Sequence, residues 1–180
     1  MRQLRSIRSS LPRSALTTLV TSFIVSKVDY CNVALAGLRQ YELDRVQSVV
    51  NAAARLTADA RRYDHVTQLL MDLNWLRVPQ RIQYKLCVLM YGYLNGTAPR
   101  YLSEITVSGG STTLRRLRSA STFDLVVPQT RRASIGDRTF AVAGPRAWNS
   151  LPPALRSNSK SFFSFRKELK SFLFGLSFCL

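Results

Sequence analysis

The chain has 180 residues, 46% of them hydrophobic, enough for one compact domain or two small helical lobes and too apolar for a disordered segment. Lys and Arg number 26 against 10 Asp and Glu, giving a formal net charge of +16 with Arg dominant. A folded body with this self-repulsion points to a polyanionic partner, RNA and/or DNA ahead of an anionic membrane surface, and Arg forks suit phosphates.

Residues 1–13 carry four arginines and no acid and read as a basic arm. Pro12 suits a first helical turn, with Ser10 a possible cap just before it. The apolar spacing of Leu16, Leu19, Val20 and Phe23 then predicts a helix from about Pro12 to Lys27. Val28–Leu38 is ambiguous and Gly37 ends it. The next segment predicts a stronger helix with Leu43, Val46, Val49, Ala53 and Leu56 on one face, Arg45 and Arg55 elsewhere, and alanines 52–54 allowing close packing or simply supplying helix propensity. Asp64 is a candidate N-cap for a short helix containing Val66, Leu69, Leu70 and Leu73.

Pro79 opens the most regular helix, with Ile82, Leu86, Leu89, Met90, Tyr93 and Leu94 as its stripe and Gly96 as its stop. Arg81 and Lys85 lie one turn apart, either a phosphate clamp or a solvated helix edge. Residues 106–113 read as a Gly/Ser/Thr linker. The helical period is lost over 114–157, an Arg-rich irregular segment in which Pro128 limits any strand to an edge and Thr139–Val142 is a candidate short strand. Gly144-Pro145 and Pro152-Pro153 bracket a compact piece holding Trp148. Residues 158–180 form a C-terminal amphipathic helix and tail striped by Phe162, Phe165, Leu169, Phe172 and Leu173, closing on a core or lying on a membrane surface. The expected fold is therefore mainly α: a helical bundle of about four helices over 14–105, the irregular segment, and the final helix.

Catalytic and metal chemistry has no visible constellation. Cys31, Cys87 and Cys179 are odd in number and far apart, so neither a disulfide framework nor a zinc knuckle is visible, and the chain reads as intracellular, in nucleus and/or cytoplasm. No Asp-Asp pair, P-loop, dinucleotide turn or His-Glu-x-x-His occurs, so no cofactor or metal is expected. His65 lacks a nucleophile partner and reads as structural. Ser134 follows Arg131-Arg132-Ala133, a pattern basophilic kinases accept and one frequent by chance in an Arg-rich chain. The apolar run Ala15–Val25 is too short and too rich in Thr and Ser to span a bilayer.

The segments 26–38, 45–56, 64–102, 117–119, 136–152 and 165–174 occur in an order that carries a resemblance, GDRTFAVAGPRAWNSLP being the most characteristic. Together they resemble the C-terminal region of the reverse-transcriptase polyprotein of LINE-type, non-LTR retrotransposons, in Jockey-like and related clades, over about Pro12 to Phe174. The resemblance implies thumb-side helices and the tail beyond the polymerase palm, in a machine performing target-primed reverse transcription. It places the palm's aspartates and the endonuclease upstream of Met1, and Met1 itself inside a longer chain, as the gene model of a decayed element or an isolated domain. The Cys/His knuckle that ends some related polyproteins is missing here, so zinc binding is not carried over.

The expected role is a non-catalytic fragment of an RNA-directed DNA polymerase that binds RNA or an RNA–DNA duplex through its backbone. The candidate phosphate contacts are Arg81, Lys85, Arg115, Arg116, Arg118, Arg131, Arg132, Arg138 and Arg146, with Trp148 either stacking on a base or buried against the Pro-rich turn. The alternatives are a module bracing the upstream reverse-transcriptase domains, with the stripes at Ile82–Leu94 and Phe162–Leu173 facing them, or a fossil without a selected role.

Overall fold

In the computed structural model, residues 2–61, 63–99, 101–102, 125–130, 133–156 and 161–179 are described. They are mainly helical, with no strand among them. The chain forms two compact units, one from Met1–Asn32, Arg39–Arg81 and Phe174–Leu180, the other from Val33–Leu38 and Ile82–Leu173. The 106–113 linker lies outside the described residues.

In the first unit the expected basic arm is folded: α1 (Arg2–Ser6) is followed by a single 3-10 turn, Arg8–Ser10. Pro12 stands at the N-cap of α2 (Arg13–Val20) in an extended conformation, and no side chain caps it, so Ser10 is not the cap. α2 passes through a π-type turn, Thr21–Val25, into α3 (Ser26–Asp29). Thr17 and Thr18 hydroxyls donate to the Arg13 and Ser14 carbonyls at 2.8 and 3.1 Å, and Ser26 donates to the Ser22 carbonyl. Such back-bonding loosens the helical ladder. The wider turn absorbs a residue and returns Val25 to the face that buries Leu16 and Val20. The same shift sends Phe23 outward, 61% exposed, against the stripe expected from regular α spacing.

After α3 the backbone turns at Cys31 (φ 54). It forms the 3-10 turn Asn32–Leu35 and turns again at Gly37 (φ 72), where a β-carbon would also stand 3.1 Å from the Arg138 side chain. α4 (Gln40–Ala58) buries Val50, Ala53, Ala54, Leu56 and Thr57, packs on α2 and on α5 (Val66–Asp72), and ends at Asp59 in the left-handed region. The buried alanines fit the close packing expected of them. His65 occupies the N-cap position of α5 without a side-chain cap, and Asp64, the expected cap, instead accepts the Arg61 N–H at 2.6 Å. Trp75, Leu76 and Val78 are buried at the end of this stretch.

α6 (Val78–Leu94) carries Pro79 in its first turn, as expected, and Gly96 follows with φ 67. In the second unit its Ile82, Leu86, Cys87, Met90 and Tyr91 are buried. Residues 125–130 are irregular, as read from the sequence, and Asn149 grips their start: Oδ1 accepts the Leu125 N–H and Nδ2 donates to its carbonyl, both at 2.8 Å. α7 (Ala133–Gly136) leads to α8 (Phe140–Asn149), so Thr139–Val142 is no strand; Thr139 is the N-cap of a helix. Pro145 inside α8 cannot donate to the Ala141 carbonyl, a loss of roughly 3 kcal/mol in a helix interior. Burial of Val142 and Trp148 on the same helix opposes that loss. Gly144 lets the α8 backbone approach α6, since a β-carbon there would stand 2.6 Å from the Met90 sulfur.

After α9 (Pro153–Arg156), α10 (Phe162–Phe178) lays Phe165, Leu169 and Leu173 into the core, which fits the core-closing reading of its stripe; Phe162 at the stripe's start is exposed. The Phe165 ring stacks on Tyr91 (centroids 4.2 Å, 17°) and tilts against Trp148 at 5.9 Å.

Cys87 is enclosed in this core, its Sγ 3.5 Å from the Ala147 carbonyl, and burial pushes its thiol pKa up to about 12. Cys31 and Cys179 are exposed. A disulfide reagent at pH 8 is expected to label Cys31 and Cys179 in the native protein and Cys87 only on unfolding. Mass spectrometry of labelled peptides checks this; native labelling of Cys87 at the rate of the other two would contradict the burial.

Candidate nucleic-acid interface

The described candidate cations differ sharply in what holds them. Arg81 is a structural group of the first unit: Nη1 donates to both Asp29 carboxylate oxygens at 3.0 and 2.8 Å, and Nε to the Leu76 carbonyl at 2.7 Å. Its side chain is only 10% exposed. Arg81 is thus engaged by Asp29, whereas Lys85, one turn on, is exposed.

In the second unit, Arg138 donates to the Ala34 carbonyl at 2.8 Å and ties down Val33–Leu38. Arg146 is exposed and pairs with Asp137 at 3.2 Å, leaving much of its fork facing solvent. Trp148 has no accessible surface and lies beside Tyr91 and Phe165, so it is not a stacking platform for a base. Arg115, Arg116, Arg118, Arg131 and Arg132 lie outside the described residues.

Asp137 links Arg146 to the irregular segment, since its carboxylate also accepts the Thr130 hydroxyl at 2.6 Å. That hydrogen bond first, and then the hydrogen bond and charge of Arg146, hold its pKa below the ordinary carboxylate value. A depressed carboxylate stabilises the fold above its unfolded pKa of about 3.9, and the contribution is lost as pH falls from there through the lower folded value. Thr130→Val is expected to move the Asp137 titration midpoint upward, read by carboxyl carbon chemical shift. An unmoved midpoint would assign the shift to Arg146 alone.

One cationic cluster has no sequence signature. Arg5 and Arg8, at the start of the chain, line a cleft in the first unit with Arg55 of α4, over a floor of Ala52, Leu56 and Ala60. An adjoining cleft shares Arg5 and Arg8 and adds Arg13. Arg8 pairs with Asp59, which is itself 80% exposed. Arg55 donates through Nη2 to the Asp64 carbonyl at 3.2 Å, while its enclosed Nε has no acceptor among the described residues. These residues are brought together by the turn at Arg8–Ser10 and by the last turns of α4, some fifty positions apart, so no local motif announces them.

Among the described residues no three His, Cys, Asp or Glu side chains gather where a metal ion would sit, and no helix is long and apolar enough to cross a membrane. What the arrangement offers chemically is a set of guanidinium donors at the surface, suited to binding oxyanions. Comparison with family models, curated proteins and solved structures finds no match for this chain.

Proposed function

We propose that the chain is a non-catalytic nucleic-acid-binding region of a retrotransposon-encoded, RNA-directed DNA polymerase, holding RNA or an RNA–DNA duplex through its phosphates. The observation that carries this reading is the net charge of +16 on a chain that folds into apolar-cored units. The resemblance to the region beyond the palm of non-LTR reverse transcriptases supports the polymerase context. The exposed Lys85 and Arg146 and the cleft arginines supply surface cations among the described residues.

Binding of this kind weakens steeply with salt and reads little sequence. In a filter-binding titration, log K is expected to fall linearly with log salt, by roughly 0.7 per phosphate neutralised on a single strand, and alike for unrelated sequences. No affinity for RNA or DNA at low salt would overturn the reading. The polymerase context is checked separately by the genomic sequence upstream of Met1, where an in-frame palm with paired aspartates is expected.

A second reading, a brace for upstream polymerase domains, draws on exposed apolar side chains such as Phe163, 77% exposed on α10. The stripes expected to face those domains do not serve it, because Ile82, Leu86, Met90, Phe165, Leu169 and Leu173 are buried in the second unit. Aggregation of the isolated chain, relieved by fusion to an upstream palm, would favour the brace.

A further inference from the structure

The arginine cleft of the first unit joins three properties in one place. It is concave, about 450 Å³, and Arg5, Arg8 and Arg55 line it with no carboxylate among the described lining residues. Its neighbour, about 570 Å³, adds Arg13 to the cationic wall and also the carboxylate of Asp59, the partner of Arg8. The cleft also contains an unmet demand, since Arg55 Nε is enclosed and no atom of the described residues accepts its hydrogen. An enclosed donor without an acceptor is costly, and a cation-lined cleft is where an acceptor from outside would satisfy it. Arg8 is steadied by Asp59 yet keeps further N–H groups, because a guanidinium carries more donors than one ion pair uses.

The geometry points to a seat for a phosphate of a nucleic-acid strand, gripped by Arg5, Arg8 and Arg55, with the sugar against Ala52 and Leu56. Arg forks bind phosphate oxygens in pairs, and the apolar floor suits the carbon face of a ribose better than a free inorganic ion. The two adjoining clefts sharing Arg5 and Arg8 give the strand a path onward past Arg13. The inference rests on the nucleic-acid reading above and deepens it by naming where one strand is held.

The test uses the full chain and a fluorescent single-stranded RNA oligonucleotide, with anisotropy recorded over a salt series. Arg5→Gln with Arg55→Gln removes two charges at the cleft; Lys27→Gln with Arg45→Gln removes two exposed charges elsewhere in the first unit. The cleft pair is expected to weaken binding at least about tenfold and to flatten the salt slope by about 1.4, two phosphates' worth; the control pair is expected to change affinity less than about threefold. Asp59→Asn releases Arg8 and is expected to tighten binding; Asn tolerates the left-handed backbone of Asp59, so this arm decides even where the cleft pair fails to fold. Equal losses from the two pairs, or no gain from Asp59→Asn, would overturn the cleft while leaving diffuse binding intact. Absence of any RNA binding by the wild type would overturn both, and anionic phospholipid vesicles displacing the RNA from wild type but not from the cleft pair would reassign the seat to a lipid phosphate.

Discussion

Trp148→Ala is expected to destabilise the second unit by about 3–5 kcal/mol, the range for truncating a fully buried large aromatic. The indole has no accessible surface, and its removal takes the neighbour of both Tyr91 and Phe165 from the core. Trp148→Phe keeps a ring in place and is expected to cost less. A denaturant titration followed by circular dichroism measures both. Binding separates burial from base stacking: under stabilising conditions the Phe variant should bind RNA as wild type does. The two tryptophans fall one in each unit, so in Trp75→Phe the remaining indole reports the second unit alone. Its emission should be blue-shifted, resist iodide and stay unchanged on adding RNA; quenching by RNA would restore the stacking reading.

The second large effect is expected at Arg81. Arg81→Gln removes a guanidinium that satisfies both oxygens of Asp29 and the carbonyl of Leu76, and loss of hydrogen bonds to a charged group is worth about 1.5–3 kcal/mol. The Asp29 side chain is 44% exposed and recovers some hydration, which places the expected loss toward the lower end. Lys85→Gln, four residues on, should leave stability within about 0.5 kcal/mol. Trp75 fluorescence in a Trp148→Phe background follows the first unit directly. A double-mutant cycle with Asp29→Asn should give a clear coupling energy; additive effects would show the ion pair to be incidental.

These two residues show what the sequence could and could not reveal. The periodic elements were legible: the helix opened by Pro79 and stopped before Gly96, the helix over 40–58, and the C-terminal apolar stripe all follow from spacing and helix-end chemistry. Register within a helix was less so. In α4 the adjacent Val49 and Val50 both satisfy a helical period, and packing selects Val50, leaving Val49 43% exposed. Between α2 and α3 the π-type turn displaces Phe23 from a face that regular spacing assigns to it. At Thr139–Val142 the Gly144-Pro145 pair reads as a break, yet α8 runs through it because tertiary burial of Trp148 outweighs local propensity.

The candidate interface was less legible than the fold. An arginine in a string carries no mark of whether a carboxylate or carbonyl distant in sequence will claim it. Asp29 claims Arg81 across 52 positions and Ala34 claims Arg138 across 104. The arginines Arg5 and Arg8 were visible only as part of a basic arm, and their meeting with Arg55 depends on the turn at Arg8–Ser10.

The first unit is assembled from the earliest residues together with the strip Phe174–Leu180, where Phe178 lies under the Arg77 guanidinium at 5.5 Å. During synthesis the early helices therefore emerge long before the strip that completes their unit. Closing so wide a loop makes that docking a late, non-local event. Until the strip arrives, the first unit lacks the ring that Arg77 covers, and its incomplete packing is what a nascent chain presents to chaperones.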